Sequence, residues 1–130
     1  MSWSYRQDKG MMFKPDGTLL YADGYAGGNK GQNPEGINNP LMQFVKDVGP
    51  LPQGKYTMGT PVEGTQLGKL AIPLYADLGN DMGGREGFYI HGDLVDGPPL
   101  SASDGCIIAP HDARVTMAAS DDKVVEVYVE

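Results

Sequence analysis

Turn-forming residues interrupt this chain so often that long regular elements have little room to form. Pro15-Asp16-Gly17, Gly49-Pro50-Leu51-Pro52-Gln53-Gly54 and Gly97-Pro98-Pro99 punctuate it, and Gly24 to Pro40 is dense in glycine and asparagine. Proline fixes φ and removes an amide donor, while glycine carries the backbone through reversals. Nineteen glycines and ten prolines in 130 residues argue against a helical bundle and for a mainly β fold of short strands. That length is one ordinary domain, 1–130, able to hold a core without disulfide or metal staples.

Between the turns, local patterns suggest the elements. Met11 to Lys14 and Thr18 to Ala22 form a hairpin across Pro15-Asp16-Gly17. Gly24 to Pro40 reads as a long polar surface loop, and Asn80 to Gly84 as a second mobile loop. Leu41 to Val48 suits a short helix or an extended run. Lys55 to Gly59 is a strand, and Leu70 to Leu74 a short edge strand, since Pro73 cannot donate to a ladder. Phe88-Tyr89-Ile90 runs as a strand into His91-Gly92, and Cys106-Ile107-Ile108 starts another. Asp93 to Asp104 is irregular. Pro110 to Ala119 reads as one helix, and Lys123 to Glu130 as a strand with Val125, Val127 and Val129 on one face.

Charge narrows the partners. A net charge of −7 repels nucleic acid and anionic membrane surfaces. No apolar run reaches membrane-spanning length, so membrane insertion is not expected. The segment Met1 to Asp8 lacks the apolar region of a secretory leader. One cysteine excludes an internal disulfide and nearly excludes a cysteine zinc site; neither a metal nor a cofactor is expected. Cys106 is then either a small buried side chain or a nucleophile.

Two segments favour the nucleophile. Phe88 to Asp93 and Ser101 to Ile108 each place a reactive side chain where a strand meets a glycine turn. A thiol needs a base to react near neutral pH, and His91 titrates in that range. The amides of Gly105 and Cys106 are candidate oxyanion donors, and Ser103 and Asp104 candidate braces of the turn through side-chain to backbone bonds. Arg85, Arg114 and Tyr89 are candidate substrate contacts. Arg114 is the first choice for a carboxylate, and Tyr89 shares the strand face of His91.

These segments resemble a known family. His91-Gly92, then Ser103-Asp104-Gly105-Cys106-Ile107, is similar to the active-site signature of L,D-transpeptidases. Gly49-Pro50-Leu51-Pro52-Gln53-Gly54-Lys55-Tyr56, Tyr25-Ala26-Gly27-Gly28 and Asn39-Pro40 resemble a narrower branch, the L,D-transpeptidase-like type VI secretion effectors (the Tlde family). The likeness runs from Trp3 to about Arg114. It implies an L,D-transpeptidase-like β-sandwich or barrel with one or two short helices. It further implies thioacyl-enzyme chemistry on peptidoglycan tetrapeptide stems. Cys106 would attack the diaminopimelate carbonyl and expel D-alanine. His91 would shuttle the proton, with the Gly92 carbonyl orienting its ring. The effector branch implies synthesis in the cytoplasm without a leader, a secretion-system delivery component, action in the periplasm of a target bacterium, and an immunity protein.

Three departures from the common pattern stand out. Asp104 occupies the usual histidine position, Ile108 stands where a basic residue often follows, and the stretch from His91 to Ser103 is short. They favour hydrolysis or exchange over cross-linking. Competing readings are another cysteine hydrolase of the wall, although such enzymes usually place cysteine before histidine. Others are a metal site of His91, Asp93, Cys106 and His111, and a non-enzymatic binding or immunity-type module.

Overall fold

The computed structural model of the chain describes residues 1–63, 69–94 and 97–129. It is mainly β, as the turn density requires. Among the described residues, nine strands form one curled sheet: β1 (Ser2–Arg6), β2 (Met11–Phe13), β3 (Leu19–Tyr21), β4 (Tyr25–Ala26), β5 (Gly54–Met58), β6 (Ile72–Ala76), β7 (Phe88–His91), β8 (Ile107–Ile108) and β9 (Val124–Tyr128). One helix, α1 (His111–Ala118), precedes β9. The strand order is β3-β2-β1-β9-β5-β6-β7-β8-β4. The pairs β1–β9 and β7–β8 are parallel, and the rest antiparallel.

The hairpin of β2 and β3 forms where the Pro-Asp-Gly turn places it. Asp16 Oδ1 accepts from Thr18 N at 2.9 Å and from Thr18 Oγ1 at 2.7 Å, and Gly17 takes φ +90°. β9 buries Val125 and Val127 as its alternation requires, although Glu130 lies outside the described residues. Helix α1 lies within the expected stretch, starts after Pro110, and buries Ala113, Arg114 and Met117. The core gathers Trp3, Tyr5, Met12, Tyr56, Ile72, Ile90, Ile107, Met117 and Val125 from seven strands and the helix. Each fully buried apolar side chain of this size contributes about 1.5–3 kcal/mol.

Four expectations change. The strand expected at Leu70 to Leu74 runs from Ile72 to Ala76 and lies between β5 and β7, so it is not an edge. Pro73 is tolerated there because its carbonyl accepts from Gly59 at 2.8 Å, just past the end of β5. The amide that proline lacks therefore falls at the frayed end of that pairing. The glycine-rich stretch is not a free surface loop. It contains β4 and a 3-10 turn at Pro34–Gly36, with Gly27, Gly28 and Gly36 buried. A Cβ at Gly27 would lie 2.7 Å from Gly36 O and 2.8 Å from Gly49 C, so glycine permits backbone-on-backbone packing. Leu41 to Val48 holds neither an α-helix nor a strand, only the 3-10 turn Pro40–Met42 and further turns. The Asn80 loop is tethered: Asn80 Nδ2 donates to Lys55 O at 2.9 Å, and its Oδ1 accepts from Lys55 N at 3.1 Å. Of the irregular stretch Asp93 to Asp104, Val95 and Asp96 lie outside the described residues.

Candidate active site

The sheet brings the two candidate reactive residues together. Parallel pairing matches Ile90 with Ile107 and His91 with Ile108. Ile90 and Ile107 point into the core at 0% exposure. Alternation then sends Tyr89, His91 and Cys106 to the opposite face. Cys106 and His91 both line an open cleft of about 400 Å³, with Lys30, Lys46, Tyr89 and Asp104. Sγ accepts from Tyr89 N at 3.3 Å, and it makes no direct hydrogen bond with the imidazole.

The electrostatics make both groups neutral at rest. Burial pushes the Cys106 thiol up to about 11; Asp104 adds to the rise, while the Tyr89 amide and Arg85 oppose it. Burial moves His91 below its ordinary value, against the Gly92 carbonyl, which favours the charged ring. His91 Nδ1 lies 2.9 Å from Gly92 O. A carbonyl only accepts, so Nδ1 carries the proton and Nε2 is the free base.

The turn before the cysteine is organised by Ser103, which is 1% exposed. Its Oγ accepts from Gly27 N at 2.8 Å and Gly105 N at 3.0 Å, and donates to Cys106 O at 2.7 Å. This corrects the expected oxyanion hole. The Gly105 amide is already engaged and buried, whereas among the described residues the Cys106 amide has no acceptor other than its own side chain. Asp104 does not brace the turn through its side chain as expected. Its Oδ2 pairs with Lys30 Nζ at 3.6 Å, its Oδ1 is buried without a partner, and its backbone carbonyl makes the structural bond.

The arginines also differ from expectation. Both are buried, neither is a surface charge, and each backs one glycine of the site. Arg114 bonds Ala109 O, Lys69 O and Leu70 O, and lines a separate cavity with Tyr25, Asp93 and His111. It does not reach the thiol cleft, so the first choice for a carboxylate contact falls. A Cβ at Gly92 would meet Arg114 Nη2 at 2.7 Å. Arg85 does line the thiol cleft, but all four terminal N–H groups are taken. Nη1 donates to Gln43 O and Pro50 O, and Nη2 to Gly49 O and Asp104 O. Gly105 has φ +142°, and a Cβ there would lie 2.5 Å from Arg85 Nη2.

The competing metal set does not assemble. His111 and Asp93 line the Arg114 cavity, while His91 and Cys106 line the thiol cleft. Among the described residues, no group of three or more His, Cys, Asp or Glu side chains suits a metal ion.

Sequence reasoning missed the cleft cations Lys30 and Lys46 and the role of Tyr25. Tyr25 OH donates to Asp93 Oδ1 at 2.8 Å and accepts from Ala102 N at 3.0 Å, tying β4 to both ends of the crossover between the reactive residues. Its place in Tyr25-Ala26-Gly27-Gly28 was the available signal. A family model described as the Tlde1 domain matches residues 23–128, a span starting just after β3 and running through β9. No curated protein matches the chain, and no solved structure does.

Proposed function

The chain belongs to the Tlde1 domain family of type VI secretion effectors, and from that premise we propose that it is a cysteine-dependent enzyme of peptidoglycan stem peptides. The reaction is removal of D-alanine from tetrapeptide stems, or its exchange for another D-amino acid, through a thioacyl-enzyme. The carrying observation is the thiol of Cys106 and the imidazole of His91 lining one open cleft from adjacent parallel strands.

Each step follows from the resting state. With thiol and imidazole both neutral, the proton passes from Sγ to Nε2 as sulfur attacks the carbonyl carbon of the diaminopimelate residue. The Cys106 amide is the available donor for the oxyanion that forms. Gly92 O stabilises the imidazolium at Nδ1. Collapse breaks the C–N bond, and Nε2 gives its proton to the departing amine of D-alanine. Water, or the amine of a D-amino acid, then attacks the thioester and gives a proton to Nε2. Collapse of that adduct breaks C–S and returns the proton to sulfur. The site of action is the periplasm of a target bacterium, reached through a secretion system, with an immunity protein protecting the producer.

Purified protein incubated with tetrapeptide-rich muropeptides, followed by mass analysis, tests the reading. Wild type converts tetrapeptides to tripeptides or to exchanged products. Cys106→Ala and His91→Ala stay folded and lose at least about 10³-fold in rate. Trimming by Cys106→Ala at the wild-type rate would refute the assignment.

A further inference from the structure

We propose that Arg85 is a positioning residue of the thiol site: its buried guanidinium fixes the nucleophile turn to the Gly49–Pro52 turn and sets a positive charge behind Cys106. The inference rests on the cysteine-enzyme reading and gives this arginine a role other than substrate contact.

The geometry is that of a clamp. Arg85 is 8% exposed, and its charge is buried without a carboxylate partner among its hydrogen bonds. Four carbonyls receive it instead, those of Gln43, Gly49 and Pro50 from one loop and that of Asp104 from the turn before Cys106. Phe88, at the start of the histidine strand, stacks on it with 5.1 Å to the ring centroid. Leu51 N also donates to Gly105 O at 3.0 Å, so the two turns are joined twice. Burying a guanidinium is costly unless its donors are met, and here the terminal ones all are. A planar fork with four terminal donors suits this set of acceptors, whereas an ammonium has only three.

The charge has a second effect. Sharing the cleft with the thiol are Asp104 on its own turn, His91 on β7 and Arg85. Lys30, Lys46, Asp47 and Glu86 line the same cleft. Asp104 disfavours the thiolate and Arg85 favours it. Arg85 thus offsets the effect of Asp104 on the thiol.

Two variants separate charge from geometry. Arg85→Lys keeps the charge but loses the fork, and Arg85→Gln loses both. Alkylation of Cys106 by iodoacetamide at pH 8 reads thiolate availability without substrate, and tetrapeptide trimming reads geometry. The expected alkylation rate falls about tenfold in Arg85→Gln, equivalent to one pKa unit, and stays within about threefold of wild type in Arg85→Lys. Trimming falls at least about tenfold in both. Wild-type alkylation by a folded Arg85→Gln protein would overturn the electrostatic role, and wild-type trimming by Arg85→Lys the positioning role. Should Arg85→Gln not fold, trimming by Arg85→Lys decides alone. A wild-type protein that never trims stems sinks the enzymatic reading, while the alkylation contrast still tests Arg85.

Discussion

Removing the Ser103 hydroxyl should cost far more than removal of an ordinary serine hydroxyl. Ser103→Ala leaves Gly27 N and Gly105 N buried without an acceptor and Cys106 O without its donor. An orphaned buried amide costs about 1–3 kcal/mol, so the two together cost about 4 kcal/mol. A 130-residue domain unfolds with an entropy of about 0.27 kcal/mol/K, which converts that loss into a fall in Tm of about 15 °C. Scanning calorimetry of Ser103→Ala beside Ser101→Ala measures it. Ser101 Oγ donates only to the exposed Pro99 carbonyl at 3.2 Å, so its removal should stay within about 0.5 kcal/mol. A fall under about 4 °C for Ser103→Ala would refute the reasoning, since it would mean the turn re-satisfies its amides without the hydroxyl.

Two further outcomes follow from the electrostatics of the cleft. The pH dependence of kcat/KM for trimming should be a broad plateau. Burial lowers His91, so the base form is present down through pH 6.5, and the thiol raised to about 11 stays protonated past pH 9. A limb measured between pH 7 and 8.5 would contradict the buried, neutral pair. Asp104→Asn removes the acid that opposes the thiolate, so iodoacetamide alkylation of Cys106 at pH 8 should rise at least about tenfold, no less than it falls in Arg85→Gln. An unchanged or slower reaction would show that Asp104 does not govern the thiol.

Much of the fold was legible because short strands announce themselves through alternation and turns. The Pro15-Asp16-Gly17 hairpin, the valine strand β9 and the strand entering His91 were all readable from local chemistry. Strand β1 was not: Trp3 and Tyr5 are buried by pairing with β9, whose residues lie more than 120 positions away in the sequence. Pro73 misled for a related reason, since an edge strand and an interior strand whose missing donor meets a frayed end look alike in sequence. At the site, chemical identity singled out Cys106 and His91, and backbone register alone brought them to one face. The arginines were misjudged because a guanidinium whose partners are all carbonyls leaves no acidic signature in the sequence. The engaged Gly105 amide was hidden likewise, because a serine two residues earlier does not reveal which donors its oxygen serves.

Strand β9 couples the two wings of the sheet. On one side it holds β1 with the β2–β3 hairpin, and on the other β5 with everything that builds the cleft. Until residues 124–128 insert, both wings carry a bare ladder edge, and an edge left open invites pairing with a foreign strand. Completion of this sheet therefore waits on one late, long-range event.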